Sequence, residues 1–312
     1  MRSLACALGL AAFIGVAEVP PVLAADDTWV SATGTDAGDC AIGAPCLSLR
    51  YALAQTSAGG SITVLSSGRY GPVNITKSVN IIAEGVEARI TRGGPCGAAV
   101  CIKAGANDVV SLRGLTIQVD DYQKDGIAFL SGRSLQLDKC SVGGITRFGI
   151  FFNPDAPAEL MIFDSKIGAM GEAIHLAPRS GMQRVILDRV QLHDSLHGLV
   201  FGSYGAAGSI RVMLRDSMIV NISGSGIIVD TGGGAVPNDL IVDRTVLANN
   251  SYGIDIRSGQ NARIRMGDSI ISGHSIASIS PYGSIASYGT NKVAGNADYG
   301  ADGAPLPTIP LK

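Results

Sequence analysis

The sequence predicts an all-β solenoid, a chain wound into stacked coils of three short strands each. Three observations carry that prediction. An eight-residue pattern, apolar at positions 1, 3 and 8 and small or apolar at 6, begins at Val110, Leu135, Leu160, Val185, Val212, Leu240 and Ile264. The intervals are 25, 25, 25, 27, 28 and 24 residues, the mark of an internal repeat. A second pattern keeps step with it: GIAF from Gly126, GIFF from Gly149, AIHL from Ala173, GLVF from Gly198, GIIV from Gly226, GIDI from Gly253 and a degenerate SIAS from Ser275. Finally, 41 of 312 residues are Gly while aromatics are only 5 %. Such a chain wants many tight turns and an aliphatic filling.

Each coil can be read in more detail. Positions 1 and 3 have strand parity, because alternate side chains share a face. Inward positions resume at 6 rather than 5, so a two-residue corner at positions 4 and 5 must join two strands. Those corners are polar or Gly-bearing, as in Asp138-Lys139, Asp188-Arg189, Arg215-Asp216, Asp243-Arg244 and Gly267-Asp268, and the repeating Asp is expected to stay wet. Upstream, 79–82 and 100–102 form a further coil, with 73–75 belonging to a first one. Eight or nine coils at about 4.8 Å per rung give a rod roughly 40 Å long.

The flanks differ from the array. Arg2, the apolar run 4–16 and the small residues around Ala24 and Ala25 read as a signal peptide over residues 1–24. The run is too short for a membrane span, so export to a periplasm or beyond is expected, with no membrane insertion. Residues 25–60 are expected to supply a strand, a loop and a capping helix, the last from the helical apolar spacing of 47–55. The solenoid proper takes 61–280, and 281–312 an irregular C-terminal cap and tail. Cys40 with Cys46, and Cys96 with Cys101, can each close a small-loop disulfide in an oxidising compartment, while Cys140 falls on an inward position. A formal charge of −2 removes the basic footprint that nucleic acid needs. Oligomeric state is left open.

The coils resemble the right-handed parallel β-helix repeat of the pectin-lyase-like superfamily. The run GGSITVLSSGRYGPVNITKSVNIIAEG is similar to the opening segment of many secreted members, and the resemblance covers residues 28 to 300. It implies a right-handed parallel β-helix, a groove along the GIxh strand and a polysaccharide partner. It does not imply a reaction, because the fold hosts lyases, hydrolases, epimerases and adhesins. The Asp pairs, Gly-His-Gly and Arg-Ile-Lys of some members have only Gly273-His274-Ser275 and Arg263-Ile264-Arg265 as counterparts, in reversed order.

Parity then names the groove. Outward after the buried Ile or Leu come Ala128, Phe151, His175, Val200, Ile228, Asp255 and Ala277. Two residues further come Leu130, Asn153, Ala177, Gly202, Asp230, Arg257 and Ile279. Glu172 and His197 occupy equivalent positions on neighbouring coils, and His175 lies three residues after Glu172. A carboxylate beside imidazoles can move protons near neutral pH, which makes Glu172, His175 and His197 the catalytic candidates. Arg147 and Arg179 could hold an acidic group and Phe151 could stack on a pyranose, so these three are the candidate substrate-binding residues. The plainer alternative is a stacked surface pair with Phe151 packed under a loop.

Other groups carry less. Asp120, Asp121, Lys124 and Asp125 crowd one loop, expected first as a solvated acidic turn, which could otherwise hold a cation or supply paired acids. Asp230 and Arg257 read as a cross-coil ion pair, and the Gly-rich stretch after Asp230 lacks the residues of a calcium or phosphate loop. No metal-ligand spacing and no cofactor fingerprint is present, and calcium has no support. The expected function is recognition of an extracellular polysaccharide along the groove. The alternatives are a lyase, epimerase or glycoside hydrolase acting on an acidic glycan, and a structural or adhesive rod presenting Phe151, Val200 and Ile228.

Overall fold

The computed structural model describes residues 25–94, 96–119, 124–202, 208–230, 238–258, 262–279, 284–297 and 306–310. The signal-peptide reading of 1–24, Asp120, Asp121 and the Gly-rich stretch after Asp230 lie outside the described residues. The chain forms an all-β parallel solenoid of about 8 turns. Among the described residues the strands lie in three parallel sheets of eleven, ten and nine strands, visited in that order around each coil. One helix, Leu49–Gln55, is present among the described residues, and no helix there is long and apolar enough to cross a membrane.

The first repeat pattern is the eleven-strand sheet. Val110, Leu135, Leu160, Val185, Val212, Leu240 and Ile264 stand in one register column, each nearly or fully buried. Like residues stack on like along the axis, so the interior becomes a set of aliphatic columns. That is how a core with few aromatics is filled. The corner falls where the one-residue slip places it: position 5 is left-handed in all seven copies, at Gly114, Lys139, Asp164, Arg189, Asp216, Arg244 and Asp268. A non-Gly residue tolerates that region best when its side chain has a local partner. Arg189 accordingly chelates Asp164 at 2.7 and 3.0 Å, and Arg244 chelates Asp216 at 2.7 and 2.8 Å. One corner acid departs from expectation. Asp188 is buried at 2 % exposure beneath Arg189 and Arg215, because two guanidiniums close over it.

Position 6 turns back inward, and polar residues there form a ladder. The hydroxyls of Ser165, Ser217 and Ser269 each accept a backbone N–H from the preceding coil at 3.0, 3.0 and 3.1 Å. Each also donates to the carbonyl two residues back. Buried hydroxyls are thus satisfied on both sides, as burial requires. Cys140 shares this column as a free buried thiol, its pKa pushed up to about 11 by desolvation. Among the described residues the other cysteines pair as Cys40–Cys46 and Cys96–Cys101.

At the N-terminal end, Ala25–Val30 lies parallel to Thr56–Val64, and Val30 bridges to Cys46. The helix begins two residues later than the apolar spacing suggests. Ser48 caps it by accepting from the Tyr51 N–H at 3.2 Å, and Asp36 fixes the cap. Leu47 is left exposed while Leu49, Ala52 and Leu53 are buried.

The last coil corrects the sequence reading. SIAS was expected to place Ile276 inward with Ala277 and Ile279 outward. Instead Ile279 stands opposite the inward Ile254, and Ala277 stands opposite Tyr252. Ile276 takes the turn position of Ser251, bonding to its carbonyl at 2.9 Å, and is 37 % exposed. The turn holds extra residues there, so the strand starts later.

Candidate functional site

The nine-strand sheet carries the residues singled out in the sequence. Phe148–Phe152, Glu172–Leu176, His197–Gly202, Ser225–Asp230 and Tyr252–Ser258 are successive strands. Glu172 stands opposite His197, and Phe151 opposite His175. The outward column continues through Val200 and Ile228 to Asp255. Small residues at the strand starts permit this close stacking: a Cβ on Gly149 would come within 2.5 Å of the Ala173 carbonyl oxygen.

The side chains divide into a shelf and a pocket. In the shelf, the rings of Phe148 and Phe151 are 5.2 Å apart, and His175 lies 4.7 Å from Phe148 and 5.7 Å from Phe151. The Arg147 guanidinium sits 5.0 Å above Phe148, within cation–π range. The pocket has a volume of about 60 Å³ and is lined by Glu172, His175, His197, Val200, Ile228, Asp230 and Arg257, among others. Glu172 Oε2 and His175 Nδ1 are hydrogen-bonded to each other. His197 Nδ1 accepts the Ser225 N–H at 3.2 Å. Ser225 Oγ donates to Asp255 at 3.1 Å, and Arg257 Nε donates to the same carboxylate oxygen at 2.8 Å.

The two remaining arginines are already engaged. Arg147 donates through Nε and Nη2 to Asp125 at 2.7 and 2.5 Å, and Asp125 is only 1 % exposed. This hydrogen-bonded pairing raises the Arg147 pKa and holds its charge. The Asp125 carboxylate therefore serves a buried ion pair and does not belong to a solvated turn. Arg179 Nε donates to Asn153 Oδ1 at 2.8 Å, at the edge of the same sheet. Asp230 and Arg257 are not register equivalents as the sequence suggests: an irregularity after Val229 sets Asp230 opposite Ser258, and Arg257 pairs with Asp255 at 2.8 Å. Val200 and Ile228 point outward yet are 7 % and 1 % exposed, too recessed to present a face to a protein. Among the described residues, no group of three His, Cys, Asp or Glu is placed to hold a metal ion. A larger cavity, about 290 Å³ between Arg133, Glu159, Met182 and Arg184, contains none of the sequence candidates.

Sequence reasoning missed Phe148 and Ser225 as partners of the site, and placed Asp255 on the outward groove without giving it a role. Phe148 was legible, since it is the register equivalent of Glu172 and, one strand on, of His197.

Burial lowers the His197 pKa, and Arg257 lowers it further, while Glu172 and Asp255 act the other way. The ring is thus more than half neutral at pH about 6.5, where an ordinary His is half protonated. A folded-state pKa below the unfolded one makes protonation oppose folding: stability is intact above about pH 6.5 and is lost as pH falls through the lowered value. Denaturation at pH 7.5 and pH 5 should therefore show a larger acid loss for the wild type than for His197→Gln. Equal losses would place His197 in water.

No protein-family model matches the chain, and no curated protein sequence does. Solved structures do. The chain is similar to the pectate lyase Pel9A, with a TM-score of 0.63 at 12 % identity over 90 % of this chain and 80 % of that one. A pectin methylesterase in complex with a hexasaccharide and the pectin methylesterase PemA from Erwinia chrysanthemi align at TM-scores of 0.49 and 0.48. Both are 11 % identical over 90 % of this chain and 92 % of theirs. With three parallel sheets, columned aliphatic coils and the pectate lyase likeness, the chain has the parallel β-helix fold.

Proposed function

We propose that this is an exported protein that recognises a polysaccharide on the outward face of its nine-strand sheet. The observation that carries the reading is the shelf of Phe148, Phe151 and His175 beside a pocket of hydrogen-bonding groups. A pyranose offers an apolar face to rings and hydroxyls to polar neighbours, and this surface supplies both. Two disulfides support an oxidising compartment. The likeness to a pectate lyase supports a glycan as the ligand class.

Laying a sugar on the shelf removes on the order of 60 Å² of apolar area from water, about 1.5 kcal/mol at ~25 cal/mol per Å². Phe151→Ala should therefore weaken binding about tenfold in titrations against a panel of neutral and acidic glycans, with little change in melting temperature. Unchanged affinity would move the site elsewhere.

A second reading has its own observation. The Glu172–His175 hydrogen bond lies next to a neutral His197, a pairing that can pass protons as acid and base. New reducing ends or unsaturated-uronate absorbance on one polymer, abolished in Glu172→Gln at unchanged stability, would make the protein an enzyme. Turnover retained in Glu172→Gln would remove that carboxylate from the chemistry.

A further inference from the structure

The pocket beside His197 has a feature that a bare pyranose does not require, an aliphatic floor. Val200 and Ile228 stand in one register column, bracketed by His175 on one side and Asp255 on the other. Val200 and Ile228 stand about 4.8 Å apart on adjacent rungs, and the space above them is about 60 Å³, room for a small substituent. Both side chains are recessed.

The rim supplies donors and acceptors above that floor. Because His197 Nδ1 accepts from Ser225, the neutral ring carries its proton on Nε2. Arg257 reaches the rim with Nε committed to Asp255, and Glu172 and Asp230 bring carboxylates. A space of about 60 Å³ holds a few water-sized groups, since one water needs roughly 10–15 Å³ of such space. A sugar carboxylate would meet Arg257, but also two acids and an aliphatic floor. A lone methyl would fill the floor and leave the rim donors without partners, which is costly once they are desolvated.

An acetyl group has a methyl for the floor and a carbonyl oxygen for Arg257 or His197, and an acetamide adds an N–H for a carboxylate. We propose that this pocket receives the acetyl group of an N- or O-acetylated sugar and so orients a glycan lying on the Phe148–Phe151 shelf. The proposal rests on the glycan reading and names the substituent that the site selects.

Calorimetric titration with matched pairs tests it. Chitohexaose and cellohexaose differ only in acetamido against hydroxyl, and O-acetylated xylan can be compared with the same xylan after mild saponification. The acetylated member of at least one pair should bind about tenfold tighter, the worth of one buried methyl and one hydrogen bond. Which pair responds distinguishes amide from ester. Val200→Thr keeps the shape of the floor but adds a hydroxyl, and should shrink the preference to about twofold. Val200→Phe should fill the pocket and abolish the preference, and wild-type affinity of both variants for the unacetylated member of each pair shows that they are folded. Glycan binding with no acetyl preference, whether in these pairs or on other polymers, would overturn the subsite and leave the glycan reading standing. Absence of binding to any glycan, acetylated or not, would overturn both.

Discussion

Phe152→Ala should destabilise the protein by about 3–5 kcal/mol, the cost of deleting a fully buried ring. Phe152 is 0 % exposed and stacks on Phe129 with centroids 4.9 Å apart and planes 19° from parallel. The two rings are register neighbours on adjacent coils, and Leu176 follows in the same column. In a solenoid the coils above and below are fixed by continuous backbone ladders, so the walls cannot close on the void. The cost should therefore sit toward the upper end of that range, and Phe152→Leu, which keeps most of the volume, should lose about 1–1.5 kcal/mol. Urea denaturation at unchanged slope measures both. A loss below about 1 kcal/mol for the alanine variant would show that neighbouring coils slide together to fill the space.

The reason this position was readable, while others were not, is periodicity. An inward column repeats every coil, so one misread residue is outvoted by its neighbours: the left-handed corner from Gly114 to Asp268 follows from a one-residue slip counted seven times. The shelf and pocket are not periodic. Glu172 and His197 came out of the sequence as neighbours because they share a register column. Phe148 occupies that same column but carries no titratable group, so acid–base chemistry does not single it out as it does Glu172 and His197. The recession of Val200 and Ile228 could not be read at all, because it depends on side chains of other coils that line the same pocket. The last coil shows the converse failure. Ser275-Ile276-Ala277-Ser278 matches the repeat by letter, yet a longer turn carries Ile276 to the surface. Local spelling alone does not set register.

The arginine expected to grip substrate provides the sharpest case. Arg147→Ala should cost about 2–4 kcal/mol, because it strands the Asp125 carboxylate at 1 % exposure without its two charge-assisted hydrogen bonds. The figure lies below that of a fully buried pair because the Arg147 side chain is 48 % exposed, and water can follow the vacated guanidinium. Asp125→Asn should cost less, since the amide stays neutral in the same space. If the pair is the main role of both residues, the double variant Arg147→Met with Asp125→Asn should recover much of the loss, giving a coupling of about 1–3 kcal/mol in a denaturation cycle. The same variants separate structure from recognition. Arg147 also lies over Phe148, so a stable double variant that still binds glycan like the wild type would make Arg147 a support for the shelf. Weakened binding in that stable variant would mean the guanidinium meets the sugar itself. If Arg147→Ala alone proves as stable as the wild type, Asp125 is reached by water and the buried pair is not what holds the strand Asp125–Ser131 under the shelf.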